Sequence, residues 1–197
     1  MMAAVPDGTG QTTATRGRRD PGARRQAIVR AASDLLVEGG GDLTHRRVAE
    51  RADVPLGATT YYFSSLDELR EAGLELLATE LDEALAEMRQ EAAESSGDPE
   101  VLASLLHDYL SDQNQVRADA ALYGAAIQRP ELRALALRWF DGVVELLSDW
   151  ADPATAQLLA VFADGACLHA TFHGQPLDRA AIARAMTALM GPAKDER

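Results

Sequence analysis

The sequence predicts an all-α protein, with a small helical head near the N-terminus and a larger helical body, about nine helices in all. Hydrophobic residues make up 47% of the 197 residues, and aromatic residues only 5%. Alanine and leucine dominate while β-branched residues are few, which favours helix over strand. Apolar residues recur at helical spacing between glycine and proline breakpoints, and no segment alternates as a strand would.

The head is predicted to span residues 21–66, after a disordered basic arm over residues 1–20 that is rich in glycine and threonine. Three helices are expected in it, at 22–38, 45–52 and 57–63. The glycines after residue 38 are expected to end the first helix, because glycine adopts the left-handed conformation at little cost in conformational energy. Thr44 is a suitable N-cap for the second helix, and Asp53-Val54-Pro55 forces a turn before the third.

The body is predicted to span residues 67–197. Ser65 and Glu68 form a capping box that opens a helix running to about Glu94. An aspartate N-cap followed by proline starts two further helices. The helices expected after the first are 99–111, 116–128, 130–150, 153–173 and one from Asp178 to before Gly191.

Charge is divided unevenly between these two parts. Residues 16–66 carry nine arginines against six acidic residues, whereas residues 67–197 carry ten basic residues against 24 acidic ones. A basic head could therefore approach a phosphate backbone although the net charge is −12.

With one cysteine, Cys167, no disulfide framework is possible, and no apolar run approaches the ~18 residues of a membrane span. We expect a cytoplasmic protein with no membrane partner.

The short helix, tight turn and short helix at 45–63 form the most informative stretch. The amino end of the second helix is small enough to enter a DNA major groove, which is about 12 Å wide. Thr59 and Thr60 would offer hydroxyls and methyls to base edges, while the start of the first helix would meet phosphates. The alternative is an ordinary helical corner with a solvated basic face. The candidate DNA-binding residues are Thr44, His45, Arg46, Arg47, Leu56, Gly57, Ala58, Thr59, Thr60, Tyr61 and Tyr62.

Residues 43–69 read LTHRRVAERADVPLGATTYYFSSLDEL, which closely resembles the DNA-binding signature of TetR/AcrR-type transcriptional regulators. The motif match covers about 24–69, and the chain length and helix count also fit. Many members carry Lys at the position of Leu66, Tyr at that of Thr60, and Ser or Lys at those of Pro55 and Leu56. The missing lysine at 66 removes one expected phosphate contact.

The resemblance implies a body whose fourth to eighth helices enclose a small-molecule pocket. It also implies that the last two helices pair with a second subunit as a four-helix bundle. The residues give partial support, since the helix at 153–173 is apolar over most of its circumference and the last helix is too broadly apolar for one buried stripe. Pocket candidates are polar or aromatic residues on apolar helices: His107, Tyr109, Tyr123, Trp139, Phe140, Phe162, His169 and Phe172.

Metal and enzyme chemistry have little support in the sequence. His169 and His173 lie at helical i,i+4 spacing, but no third ligand is evident, so we predict neither a metal nor a cofactor. The chain has no glycine-rich phosphate loop and no G-x-S-x-G or H-E-x-x-H motif, so no enzymatic activity is predicted.

The function predicted is a sequence-specific DNA-binding transcriptional regulator, a homodimeric repressor released from a palindromic operator by a small lipophilic effector. The acidic body favours a neutral or cationic effector over a polyanion. Two alternatives stay open. One is a small-molecule-binding helical protein or enzyme, and the other is a DNA-binding activator without a metabolite effector.

Overall fold

The computed structural model describes residues 20–39 and 42–191, and within these residues every regular element is helical. The arm expected over residues 1–19 lies outside the described residues. The elements are α1 (Pro21–Glu38), α2 (His45–Arg51), α3 (Leu56–Tyr62), α4 (Leu66–Glu94), α5 (Pro99–Ser111), α6 (Gln113–Gln128), a 3-10 turn (Pro130–Leu132), α7 (Arg133–Ala136), α8 (Arg138–Leu147), α9 (Pro153–His173) and α10 (Arg179–Met190). The all-α fold class is confirmed.

The segment 130–150 differs from the single helix that was predicted. It is divided into the 3-10 turn, the one-turn α7 and the longer α8, with a turn after Leu147. The division lies at Leu137, whose backbone (φ −85°, ψ −6°) leaves the regular helical geometry. This break separates α7 from α8 and raises the number of α-helices in the described residues to ten.

Side-chain caps define most helix starts, as the sequence indicates. Thr44 Oγ1 accepts a hydrogen bond from the Arg47 N–H over 3.2 Å, and Ser65 Oγ accepts one from the Glu68 N–H over 3.1 Å. The expected capping box is altered, because the Glu68 carboxylate accepts from the N–H and hydroxyl of Ser64 rather than from Ser65. Each of these caps satisfies N–H groups that the first helical turn leaves free.

The buried side chains form two separate cores, joined by α4. The head core comprises Ile28, Ala31, Ala32, Leu35, Leu43, Val48, Phe63 and Leu69. The body core is larger and takes residues from α4 to α10, beginning with Leu74 and Leu77 of α4. One 29-residue helix, α4, therefore contributes to both cores and links the head to the body.

Close packing and ion pairs fix α1 against α4. Gly73 is buried, and a Cβ added there would lie 3.1 Å from Leu36 Cδ1 and 3.2 Å from the Ser33 backbone nitrogen, so a larger residue would push α1 and α4 apart by a few tenths of an ångström. The Arg30 guanidinium of α1 also pairs with the Glu80 carboxylate of α4. The head is therefore held rigidly on the N-terminal half of α4.

Within the described residues, no helix combines the length and the apolar character needed to cross a membrane.

Candidate functional site

The turn between α2 and α3 has the conformation expected of a helix-turn-helix. Asp53 adopts a positive φ of 51°, a conformation that aspartate tolerates better than most residues. The Val54 N–H donates to the Ala49 carbonyl over 3.0 Å, and Ala49 is buried where the helices meet. Arg51 donates to both carboxylate oxygens of Glu38, at 2.8 and 2.7 Å, which ties α2 to the end of α1.

Helix α3 has one face in the head core and one in solvent. Thr59 is fully buried and its hydroxyl donates to the Leu56 carbonyl over 2.8 Å, so its predicted contact with base edges is wrong for this conformation. Ala58 and Tyr62 are half-buried against the head core. The solvent face presents Leu56, Gly57, Thr60 and Tyr61, the last with 82% of its surface exposed.

The start of α2 supplies cationic and polar groups beside that face. Arg46 is exposed and donates through Nε to Glu50 over 2.9 Å, while Arg47 donates to the Asp42 carbonyl over 2.8 Å. The Thr44 hydroxyl serves as the N-cap acceptor. His45 is half-buried, and its Nδ1 has no hydrogen-bond partner among the described residues. These four positions stay candidates for phosphate contacts.

A pair of aspartates lies inside the body, between α5, α6 and α9. Asp119 of α6 is only 3% exposed, and the Tyr109 hydroxyl of α5 donates to its carboxylate over 3.1 Å. Burial raises the pKa of Asp119 to about 7, hydrogen bonds from Tyr109 and Cys167 oppose that rise, and the charge of Asp164 adds to it. The Asp119 carboxyl is therefore partly protonated near neutral pH.

The second aspartate, Asp164 of α9, is half-buried and accepts a hydrogen bond from the Tyr123 hydroxyl over 3.0 Å. Burial raises its pKa above the ordinary value, while the bond from Tyr123 lowers it. Burial also raises the pKa of the Cys167 thiol, followed by the charge of Asp119. The thiol thus stays protonated and does not offer a thiolate nucleophile.

An aromatic stack adjoins the aspartates. The rings of Tyr109 and Trp139 lie 4.1 Å apart between centroids, with 14° between their planes. Trp139 also lines an apolar cavity of about 30 Å³, enclosed by leucines of α4, α5, α8 and α9 with Met88 and Met186. Its Nε1 donor is buried and has no partner among the described residues. The cavity has room for a water-sized group, so a larger ligand requires these side chains to move.

Three of the eight predicted pocket residues, Tyr109, Tyr123 and Trp139, meet in this acidic and aromatic cluster. Phe172 is 78% exposed, and its predicted place in an interior pocket is wrong, because it lies on the outer face of α9. The other four do not line the apolar cavity: they are His107, Phe140, Phe162 and His169. His107 lies beside Asp108, and the two phenylalanines are half-buried against the body core.

His169 and His173 stack with ring centroids 4.0 Å apart. In the part of the chain that the structure describes, no three histidine, cysteine or acidic side chains come together as metal ligands would.

A stripe of apolar residues on α9 faces solvent. It consists of Leu158, Val161, Gly165, Leu168 and Phe172, spaced by three and four residues, and each of its four large side chains is more than half exposed. This spacing is the a/d pattern of a helix that packs against another helix. Gly165 at its centre leaves the backbone open to close approach, since nothing lies within 4 Å of an added Cβ.

Sequence reasoning missed Asp119 and Asp164, although each carries a recognisable signal. Both are single acidic residues inside otherwise mostly apolar helical segments, VRADAAL and VFADGAC. An isolated acid on an apolar helix face is uncommon, because burying a charge without a partner is costly.

A helix-turn-helix head with more arginines than acidic residues, set on a larger helical body, is the architecture of a class of DNA-binding transcriptional regulators. Residues 97–192 match the family described as "Tetracyclin repressor-like, C-terminal domain". A solved TetR-family member from Streptomyces coelicolor is 36% identical, with a TM-score of 0.75 and coverage of 86% of this chain and 99% of that chain. The chain belongs to the TetR family of transcriptional regulators.

Two further relatives are informative. The multidrug binding protein EbrR, solved with ethidium, is 36% identical with a TM-score of 0.72, covering 86% of this chain and 99% of that chain. EbrR has also been solved with proflavin and with malachite green. The regulator BetI of Stenotrophomonas maltophilia is 29% identical over 118 residues, which cover 57% of this chain. The match spans 59% of the length of that curated relative.

Proposed function

We propose that this chain is a homodimeric repressor that binds a palindromic operator and is released by a small lipophilic, cationic effector. The observation that carries the proposal is the solvent face of α3, where Gly57, Thr60 and Tyr61 stand clear of the head core beside the exposed Arg46. This face is the part of a helix-turn-helix that enters the major groove, with arginines placed for flanking phosphates.

Dimerisation supplies the second head. The exposed apolar stripe of α9 is a surface that a soluble monomer rarely leaves uncovered, and a second copy of the same stripe would cover it about a two-fold axis. Two heads on one face of the duplex then meet successive major grooves about 34 Å apart. The acidic body faces away from the DNA, so the phosphates attract only the heads.

The effector would enter the body at the acidic and aromatic cluster. Asp119 and Asp164 offer carboxyl groups, and the stacked Tyr109 and Trp139 offer flat apolar surface. Ethidium, proflavin and malachite green, the ligands solved with EbrR, are aromatic cations, a chemistry that such a cluster suits. The present cavity is too small for them, so binding would separate Trp139 from Tyr109.

A movement of Trp139 away from Tyr109 would be transmitted to the heads through α4. Arg138 directly precedes Trp139 in the chain, and Phe140 follows it. The guanidinium of Arg138 pairs with Glu75 and Asp82 of α4. A shift of α8 would therefore displace α4, and with it the head that packs on its N-terminal half. The coupling expected for such a transition is roughly 1–3 kcal/mol, enough to lower operator affinity 5- to 150-fold.

A gel shift on the DNA upstream of the gene tests the proposal, with the Gly57→Trp variant beside the wild type. Gly57 is exposed and a Cβ there meets nothing within 4 Å, so the indole should leave the head folded while blocking groove entry. Gly124→Trp, at another exposed helical glycine but in the body, is the matched control. Specific binding that survives Gly57→Trp would show that α3 is not the recognition helix.

A further inference from the structure

Asp119 is a buried carboxyl with no cation to neutralise it. It is 3% exposed, and no ion pair among the described residues includes it. Its hydrogen-bonding neighbours are the Tyr109 hydroxyl and the Cys167 thiol, which are neutral donors. Neutral donors reduce the cost of burying a carboxylate but do not supply the opposite charge that an ionised group needs in an apolar interior.

The other groups around the cluster do not supply that charge either. From α9, Asp164 brings a second negative charge, and Tyr123 on α6 itself is a neutral phenol bonded to Asp164. The charged residues that α1 and α4 present toward α6 lie in a groove beside Ala118, where Arg30 bonds Glu80. In the same groove Arg51 of α2 pairs with Asp34 and Glu38 of α1.

The outer side of the cluster has one more cation. Arg133 of α7 lines an open groove of about 350 Å³ with Tyr123 and Ile127, and its side chain is exposed to solvent. Solvent screening makes such an exposed charge a weak partner for a buried carboxylate. The empty body therefore favours the protonated, neutral form of Asp119, which predominates below about pH 7.

We propose that the effector's positive charge replaces this proton, so that the body binds an organic cation in exchange for one H⁺ from Asp119. The inference rests on the proposed function, since it specifies how the proposed effector is held. The O–H bond of the Asp119 carboxyl breaks, the proton passes to the buffer, and the carboxylate becomes the counter-ion of the bound cation. No oxidation or other covalent change takes place.

The exchange has a consequence that simple hydrophobic binding lacks. A protonated Asp119 must lose its proton before it can pair with the cation, so affinity falls as the solution becomes more acidic. A neutral aromatic ligand of similar size would displace no proton, and its affinity would not change with pH through this group. Exchange thus selects for cations and makes effector affinity depend on pH.

Isothermal titration of the full-length protein with ethidium tests the exchange. Run at about pH 6 and about pH 8, each in two buffers of different ionisation enthalpy, it counts the protons released. We expect about one proton per ethidium at the lower pH, almost none at the higher pH, and an affinity about tenfold tighter at the higher pH. Asp119→Asn should abolish both the proton release and the pH dependence, whereas Asp164→Asn should retain the release.

The outcomes separate the inference from the function on which it rests. Ethidium binding without proton release at the lower pH, or unchanged release in Asp119→Asn, overturns the exchange and leaves the repressor intact. Failure of ethidium to bind at either pH overturns both the cationic effector and the exchange, while the gel shift still tests DNA binding. Should Asp119→Asn fail to fold, the proton count of the wild type decides the question.

Discussion

The guanidinium of Arg138 lies 2.7 Å from the carboxylate of Glu75, so α8 holds α4 directly beside the aromatic stack of the body. The same guanidinium also bonds the partly buried carboxylate of Asp82. Arg138 is adjacent in sequence to Trp139, which is buried against Tyr109. The pairing of Arg138 with Glu75 thus connects the interior of the body to α4, the helix that carries the head.

Arg138→Ala should weaken the coupling between effector and DNA while leaving each binding event in place. Without the guanidinium, a shift of α8 is transmitted less directly to α4, so saturating ethidium should lower operator affinity by a several-fold smaller factor than in the wild type. Fluorescence anisotropy of a labelled operator, with and without ethidium, measures both affinities. Arg117→Ala removes an exposed arginine of α6 and is the control. Equal coupling in both variants would contradict the role of Arg138.

Asp119→Asn should change how stability depends on pH. The folded pKa of Asp119, about 7, exceeds its unfolded value, so the folded state binds the extra proton between about pH 4 and pH 7. The contribution of Asp119 to wild-type stability therefore falls as pH rises through this window and is lowest above it. Asparagine carries no charge, so the variant should gain on the order of 4 kcal/mol relative to wild type between pH 4 and pH 8.

Urea unfolding at several pH values measures this difference. The control is Asp141→Asn, which removes an exposed carboxyl from α8 and should leave the pH profile unchanged. A wild-type and Asp119→Asn pair with parallel pH profiles would mean that folding leaves the pKa of Asp119 unchanged.

Tyr61→Ala and Thr59→Ala should separate DNA contact from head stability. Tyr61 is exposed on the groove-facing side of α3, so its loss should weaken operator binding about tenfold and leave the unfolding temperature unchanged. Thr59 is buried with its hydroxyl bonded to Leu56, so its loss should cost about 1 kcal/mol of head stability. Anisotropy and thermal unfolding of both variants measure the two effects, and a reversal of the pattern would refute the assigned orientation of α3.

Leu168→Glu should convert the dimer to a monomer. Leu168 is 55% exposed in the apolar stripe of α9, and a carboxylate there would be buried without a partner in a two-fold interface. Light scattering coupled to size-exclusion chromatography measures the molecular mass of the variant. Operator affinity should also fall, because a monomer has lost the second head. Gln157→Glu, on an exposed polar position of the same helix, should stay dimeric. A wild-type monomer at micromolar concentration would contradict the dimer itself.

Local signals made the fold and the head predictable. The bounds of α5 and α9 agree with the sequence because an aspartate N-cap and a following proline act within one helical turn. The positive φ of Asp53 and the cap at Thr44 follow equally from neighbouring residues. The family resemblance also rests on contiguous positions, and the solved relatives confirm it.

Long-range packing set the features that the residues alone left open. Thr59 turned inward because the rotation of α3 follows from Phe63 and Val48 in the head core. Tyr109 and Asp119 are close in sequence, but Tyr123 and Asp164 meet across 41 positions, and Arg138 reaches Asp82 across 56. Side chains so far apart are brought together only when helices pack, and that packing depends on the whole buried surface rather than on any local pattern.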